Sequence, residues 1–211
     1  RRGGLTLTMA IVSPTPIRRL AVAGTLTLAL VAAGGAGAAE APDWTVDQEA
    51  SRVGFVAQQS GDPVPGEFKS FDAEIRFAPD RLDSSRVAVT IRIGSVDAAT
   101  TEQEQTITSP SLFHTGKYPE ARFVAEGFEA LEEGRYRARG DLTMRGQTHP
   151  VELPFDLDIT ETGDTLRAVA DGALTVKRLR WGIGKGQWKD TSTVPNEVRI
   201  EIRIEATRPA P

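Results

Sequence analysis

The segment Glu197-Val198-Arg199-Ile200-Glu201-Ile202-Arg203-Ile204-Glu205-Ala206 alternates charged and apolar side chains without a break. A period of two belongs to a strand with one face in water and the other in a core. Leu166–Val176 alternates too, and its apolar face consists of Leu166, Ala168, Ala170, Gly172, Leu174 and Val176. Further toward the amino terminus the same period recurs. Val53, Phe55 and Ala57 share a parity; Phe71, Ala73, Ile75 and Phe77 oppose Asp72, Glu74 and Arg76. Val87, Val89, Ile91 and Ile93 oppose Arg86, Thr90 and Arg92. Ala121–Leu131, Arg135–Met144 and Thr148–Thr160 complete a set of eight predicted strands, with Glu197–Thr207 as the last.

The interruptions carry information as well. Gly61–Gly66 holds two prolines and two glycines and predicts a turn or flap. Phe68 has the wrong parity for the face of Phe71, so a bulge is expected near Lys69-Ser70. Between Ala98 and Lys117 the alternation lapses, and helix-start residues at Thr101 and Ser109 predict one or two short helices. The expected fold is all-β: an eight-stranded antiparallel barrel with a short helical crossover. Ala138, Gly140, Ala168, Ala170 and Gly172 fall on inward parities, and this shortage of side-chain volume predicts a hollow interior lined by them.

The amino terminus follows another pattern. Arg18-Arg19 precede an uncharged run from Leu20 to Ala33, and Ala36-Gly37-Ala38 resembles a cleavage site. This order of basic, apolar and small residues predicts an export signal over residues 1–38, leaving the predicted barrel over 39–211 in the periplasm. Residues 1–8, ahead of Met9, read as an overlong gene start. Residues 1–38 hold four arginines and no acid, so the remainder carries 21 basic and 29 acidic residues, net −8 against −4 for the whole chain. Such a surface disfavours nucleic acid as a partner. The chain has no cysteine and two histidines, His114 and His149, far apart in sequence. Thiolate sites are therefore impossible in it, and no metal or other cofactor is expected.

Five segments, in order, carry a resemblance. Trp44–Asp47 with Ala50–Phe55, Gly66–Phe68 with Phe71–Phe77, Phe113–Phe123, the hairpin Gly140–Val151, and Lys177–Ile183 are together similar to the YceI family, exported lipocalin-like proteins that bind polyisoprenoids. The similarity covers nearly all of residues 44–206. Arg180-Trp181 stands where the family usually has an acid and Phe, and His114 interrupts a usual Phe-Phe-acid run. Gly182–Trp188 resembles members encoded with, or fused to, membrane b-type cytochromes. The resemblance thus implies an isoprenoid lipid as ligand, such a cytochrome or the inner membrane as a transient partner, and a homodimer as a candidate assembly.

Phe55, Phe71, Phe77, Phe113, Phe123 and Phe155 read as core in any such barrel; only a hollow one turns them, with Ile91, Ala138, Ala168 and Ala170, into ligand contacts. Tyr118, Lys177, Arg178 and Arg180 lie near strand ends and are candidates to meet a polar head, while Trp181 could stack on a ring or plug the barrel. Trp188 reads as a plug. No inward acid–base pair emerges, so the expected action is reversible binding rather than catalysis. Two rivals remain open: an isomerase or cyclase acting on an apolar substrate, and a ligand-free interaction module for a membrane cytochrome.

Overall fold

The structure, a computed structural model, describes residues 40–132 and 134–211. The leader read from Arg18 to Ala39 lies outside those residues. In chain order the elements are β1 (Asp43–Gln59), β2 (Asp62–Phe68), β3 (Phe71–Arg76), β4 (Arg86–Arg92), β5 (Val96–Ala98), α1 (Thr101–Thr108), β6 (Glu120–Glu132), β7 (Arg135–Met144), β8 (Gln147–Thr162), β9 (Thr165–Lys177) and β10 (Glu197–Pro209). Eight of the strands pair antiparallel in the order β10-β9-β8-β7-β6-β4-β3-β1, and β1 pairs with β10 to close the barrel.

One edge of β1 serves two neighbours while the other pairs with β10. β3 pairs with β1 only at Asp43 and Trp44, so the second half of β1 needs another partner. Asp62–Phe68 takes that place along Val53–Gln59. The expected flap is therefore strand β2. Its prolines are tolerated because β5 pairs only with Gly66–Phe68, leaving Pro63 and Pro65 with one neighbour. The parity slip after Phe68 becomes a break between strands rather than a bulge. There the Lys69 N–H donates to the Ser95 carbonyl at 3.1 Å and the Ser70 N–H to Ser95 Oγ at 3.0 Å. Phe68 and Phe71 both end up buried.

β1 itself bulges against β10 between Asp47 and Arg52. Asp47 Oδ1 accepts from the N–H groups of Glu49 and Ala50, and Ser51 Oγ both donates to the Glu205 carbonyl and accepts from the Glu205 N–H. The excursion thus satisfies the ladder groups it interrupts. The crossover holds one α-helix among the described residues. Thr100 caps it, its side chain accepting from the Gln103 N–H at 3.2 Å, with Glu102 and Glu104 in the first turn where the helix dipole favours acids.

β10 shows the alternation expected of it, with Arg199, Glu201 and Arg203 exposed and Val198, Ile200, Ile202 and Ile204 turned inward. Arg203 bridges Asp171 and Glu205 on the outer face. Exposed pairs of this kind contribute about 0–1 kcal/mol each, so they fix register more than stability. Gly140 and Gly172 are small for a different reason from the one expected. A Cβ on Gly140 would lie 2.3 Å from the Val124 carbonyl oxygen, where β6 bulges between Ala125 and Gly127. One on Gly172 would lie 2.9 Å from the Pro154 oxygen. Both glycines admit neighbouring backbone; neither leaves space for a ligand.

Candidate functional site

Val198, Ile200 and Ile202 face inward yet are only half-buried, because the barrel encloses a space. The main chamber has a volume of about 710 Å³, within the range of roughly 300–1,000 Å³ usual for ligand sites. Its wall is aliphatic and aromatic: Val53 and Phe55 from β1, Ile91 from β4, Leu174 from β9, Ile107 from α1 and Phe113 beyond it. Polar groups gather where three pieces of chain meet at one end. Gln58 and Gln59 come from the end of β1, Thr100, Glu102 and Gln103 from the start of α1, and Gln187 with Trp188 from the connection between β9 and β10. Gln103 Oε1 is buried there without a hydrogen-bond partner among the described residues. A buried acceptor left unpaired costs about 1–3 kcal/mol.

A second, smaller space of about 100 Å³ lies toward the other end. It borders an aromatic cluster in which the Phe77 ring sits 5.4 Å from Phe128, 5.4 Å from Tyr136 and 6.0 Å from Phe155, centroid to centroid. Trp44 Nε1 donates to the Phe77 carbonyl at 2.9 Å and seals this end. Ala138, Ala168 and Ala170 line this space, not the main chamber. The small residues therefore sit opposite large rings, and the hollow part of the barrel is walled by Ile, Val and Leu. Ala170→Phe should overpack this end. A cavity of roughly 150 Å³ accepts a benzene ring, and this space is smaller, so the expected loss is about 1–3 kcal/mol. Urea unfolding of the variant measures it, and an unchanged midpoint would show that the ring finds room.

At the main chamber's end the closure is made by backbone held on two buried arginines and an indole. Arg178 is 4% exposed. Its Nε donates to the Pro195 carbonyl at 3.0 Å, Nη1 to Ile183 at 3.0 Å and Nη2 to Val194 at 2.7 Å. Among the described residues no carboxylate pairs with it, and burial pushes its pKa down from the ordinary guanidinium value. A Cβ on Gly184 would lie 2.0 Å from Nη1, so the Gly-rich turn is built around this guanidinium. Arg145, also buried, donates to the carbonyls of Leu112 and Pro110 and pins the segment after α1. Trp181 is 1% exposed, and its Nε1 donates to the Leu142 carbonyl at 2.9 Å.

The profile of the YceI-like domain matches residues 44–206. The chain belongs to the YceI family. The UPF0312 protein of Azotobacter vinelandii is 29% identical over 191 residues, spanning 86% of this chain and 97% of its own. Among solved structures, Burkholderia cenocepacia BcnA superposes with a TM-score of 0.70 at 31% identity, covering 76% of this chain and 99% of BcnA. A polyisoprenoid-binding domain from Saccharophagus degradans superposes with a TM-score of 0.61 over 80% of this chain and 98% of that domain; at 13% identity the likeness is one of fold.

The segments that resembled the YceI family now have positions. The hairpin Gly140–Val151 carries Arg145 at its turn, and Lys177–Ile183 carries Arg178 and Trp181, so both hold the closed end together. Of the residues proposed from sequence, Phe55, Ile91, Phe113, Phe123 and Arg178 line the main chamber. Phe77, Ala138, Phe155, Ala168 and Ala170 line the smaller space, which Phe123 also borders. Phe71 is buried in the core and lines neither. Tyr118 lies across the hairpin turn, where a Cβ on Gly146 would meet its Cε1 at 2.7 Å, and Lys177 and Arg180 are exposed; none of the three lines either space. Trp181 takes the plug role, one of the two expected of it, and lines neither space, whereas Trp188, read as a plug, lines the chamber. The glutamines at the chamber's polar end were not read from the sequence. One signal was present for Gln103, since Thr100 followed three residues later by Gln is the pattern of a capping box.

Proposed function

We propose that this YceI-family protein binds an isoprenoid-type lipid with its tail inside the barrel, and that it carries or sequesters that lipid in the periplasm without transforming it. The observation that supports this reading is the 710 Å³ chamber with an aliphatic wall and a polar end. A cavity of roughly 150 Å³ holds a six-carbon ring. By that scale the chamber holds about 28 carbons, or between five and six isoprene units. The polyisoprenoid-binding domain of Saccharophagus degradans has the same fold, and the basic-then-apolar leader of Arg18 to Ala39 supports export.

Energetics decide what kind of binder this is. Moving a methylene out of water contributes about 0.8 kcal/mol, which would make a long tail bind almost irreversibly if water were the competitor. A bilayer is as apolar as the chamber, so transfer of the tail from membrane to protein is nearly neutral. Selection then rests on fit along the tail and on amide groups such as those of Gln58, Gln59 and Gln187 at the polar end. That balance suits a carrier, which has to release its load. Native mass spectrometry of protein extracted from the periplasm is expected to show a non-covalent adduct whose fragments have prenyl composition. Protein that carries no lipid after extraction, and takes none up from vesicles containing prenyl alcohols, would overturn the reading.

A further inference from the structure

The two internal spaces share six residues, Ile75, Val87, Phe123, Leu153, Ile202 and Ile204, so they are adjoining chambers separated by one belt of side chains. Phe123 is the largest member of the belt and its only ring. It sits on β6 opposite Val89 on one side and Leu142 on the other, midway along the barrel. The other rings nearby are held in pairs: Phe77 with Phe128, Tyr136 and Phe155 beyond the belt, and Phe68 with Phe55 and Phe113 on the near side. Phe123 belongs to neither group, although it touches both chambers. The far chamber, about 100 Å³, is walled by apolar side chains and holds roughly four carbons, or close to one isoprene unit.

Resting on the lipid reading above, we infer that Phe123 sets the length of tail the barrel accepts. With the ring in place the tail ends at the belt, and the main chamber alone fixes the limit. Removing the ring joins the chambers, and the ring's own space added to the far chamber lengthens the accepted tail by about two isoprene units. The aromatic cluster around Phe77 then forms the new end wall, because Trp44 and the packed rings leave no further space.

The test offers the protein an equimolar mixture of all-trans prenyl alcohols, from roughly three to ten isoprene units so as to bracket the length implied by the volume, in phosphatidylcholine vesicles. Because tail transfer between bilayer and chamber is nearly neutral, occupancy by chain length, read by native mass spectrometry, reports fit rather than hydrophobicity. The wild type is expected to peak at about five or six units, Phe123→Ala about two units longer, and Phe123→Leu between them. Ala170→Phe added to Phe123→Ala should move the peak back toward its original length by filling the far end. A peak that stays in place in both Phe123→Ala and Phe123→Leu would overturn the role of Phe123 while leaving lipid binding intact. Failure of every variant and of the wild type to retain any prenyl alcohol would overturn the lipid reading itself. If Phe123→Ala does not fold, Phe123→Leu decides the question on its own.

Discussion

Trp181→Ala is expected to lower stability by about 3–5 kcal/mol, the range for deleting a large aromatic side chain from a core. The indole is 1% exposed and lies in the same packed cluster as Leu142, Met144, Val176 and Ile183. Its Nε1 is the donor for the Leu142 carbonyl at 2.9 Å, and His149 meets it edge-on at 5.0 Å. Removal therefore leaves a void and strips a buried carbonyl of its donor, and the two losses add. Trp181→Phe keeps most of the volume and loses the donor, so it should cost about 1–3 kcal/mol. Equilibrium urea unfolding of both variants gives the two figures. Because Trp181 lines neither internal space, the folded fraction of each should keep its ligand. A variant as stable as the wild type that has lost its lipid would instead place the indole against the ligand.

Strand positions were legible because alternation states directly which side chains face inward. β10 keeps charged and apolar residues on opposite faces from Glu197 to Ala206, and β3 does the same from Phe71 to Arg76. What alternation does not record is the partner of each strand. Asp62–Phe68 reads as a flap because its prolines and glycines suppress the strand signal, yet β1 is long enough to need a second neighbour. Volume was misread for a related reason. Counting small inward residues on β7 and β9 measures one side of the barrel, and whether they leave a space depends on what stands across from them. Phe128 pairs with Ala138 on the next strand, Phe155 lies on β8 between β7 and β9, and Phe77 packs against both rings, so little space remains. The hollow end has larger side chains. It stays open because α1 and the connection from Gly182 to Asn196 close it from outside, as a long-range arrangement that no local pattern encodes.

The candidate site was the least legible part for the same reason. Its polar end is assembled from β1, α1 and the β9–β10 connection, three pieces more than forty residues apart in places, and each glutamine looks like ordinary surface in its own segment. Arginines near strand ends look like rim charges, yet Arg145 and Arg178 are buried among backbone carbonyls.

Arg178→Met is therefore expected to act on the closure of the barrel before it acts on any ligand. Methionine keeps the apolar stem and removes the donors that hold Ile183, Val194 and Pro195. Each hydrogen bond from a charged group contributes about 1.5–3 kcal/mol, and the stranded carbonyls recover part of that from water as the connection loosens, so the net loss should be about 2–4 kcal/mol. Burial already disfavours the charge, which is why the loss is not larger. Hydrogen exchange should quicken across residues 183–196 while β6 to β8 stay protected. Trp188 and Val194 line the chamber from that connection, so lipid should leave roughly tenfold faster, as for a closure weakened by about 1.4 kcal/mol. Arg178→Lys should recover little, since one ammonium cannot reproduce the planar fork that meets three carbonyls. Thermal unfolding, exchange by segment and lipid release measured on the same preparation separate the two roles open to this residue. Loss of stability with accelerated exchange assigns Arg178 to the closure. Unchanged stability with lost binding would return it to the head group, where the sequence first placed it.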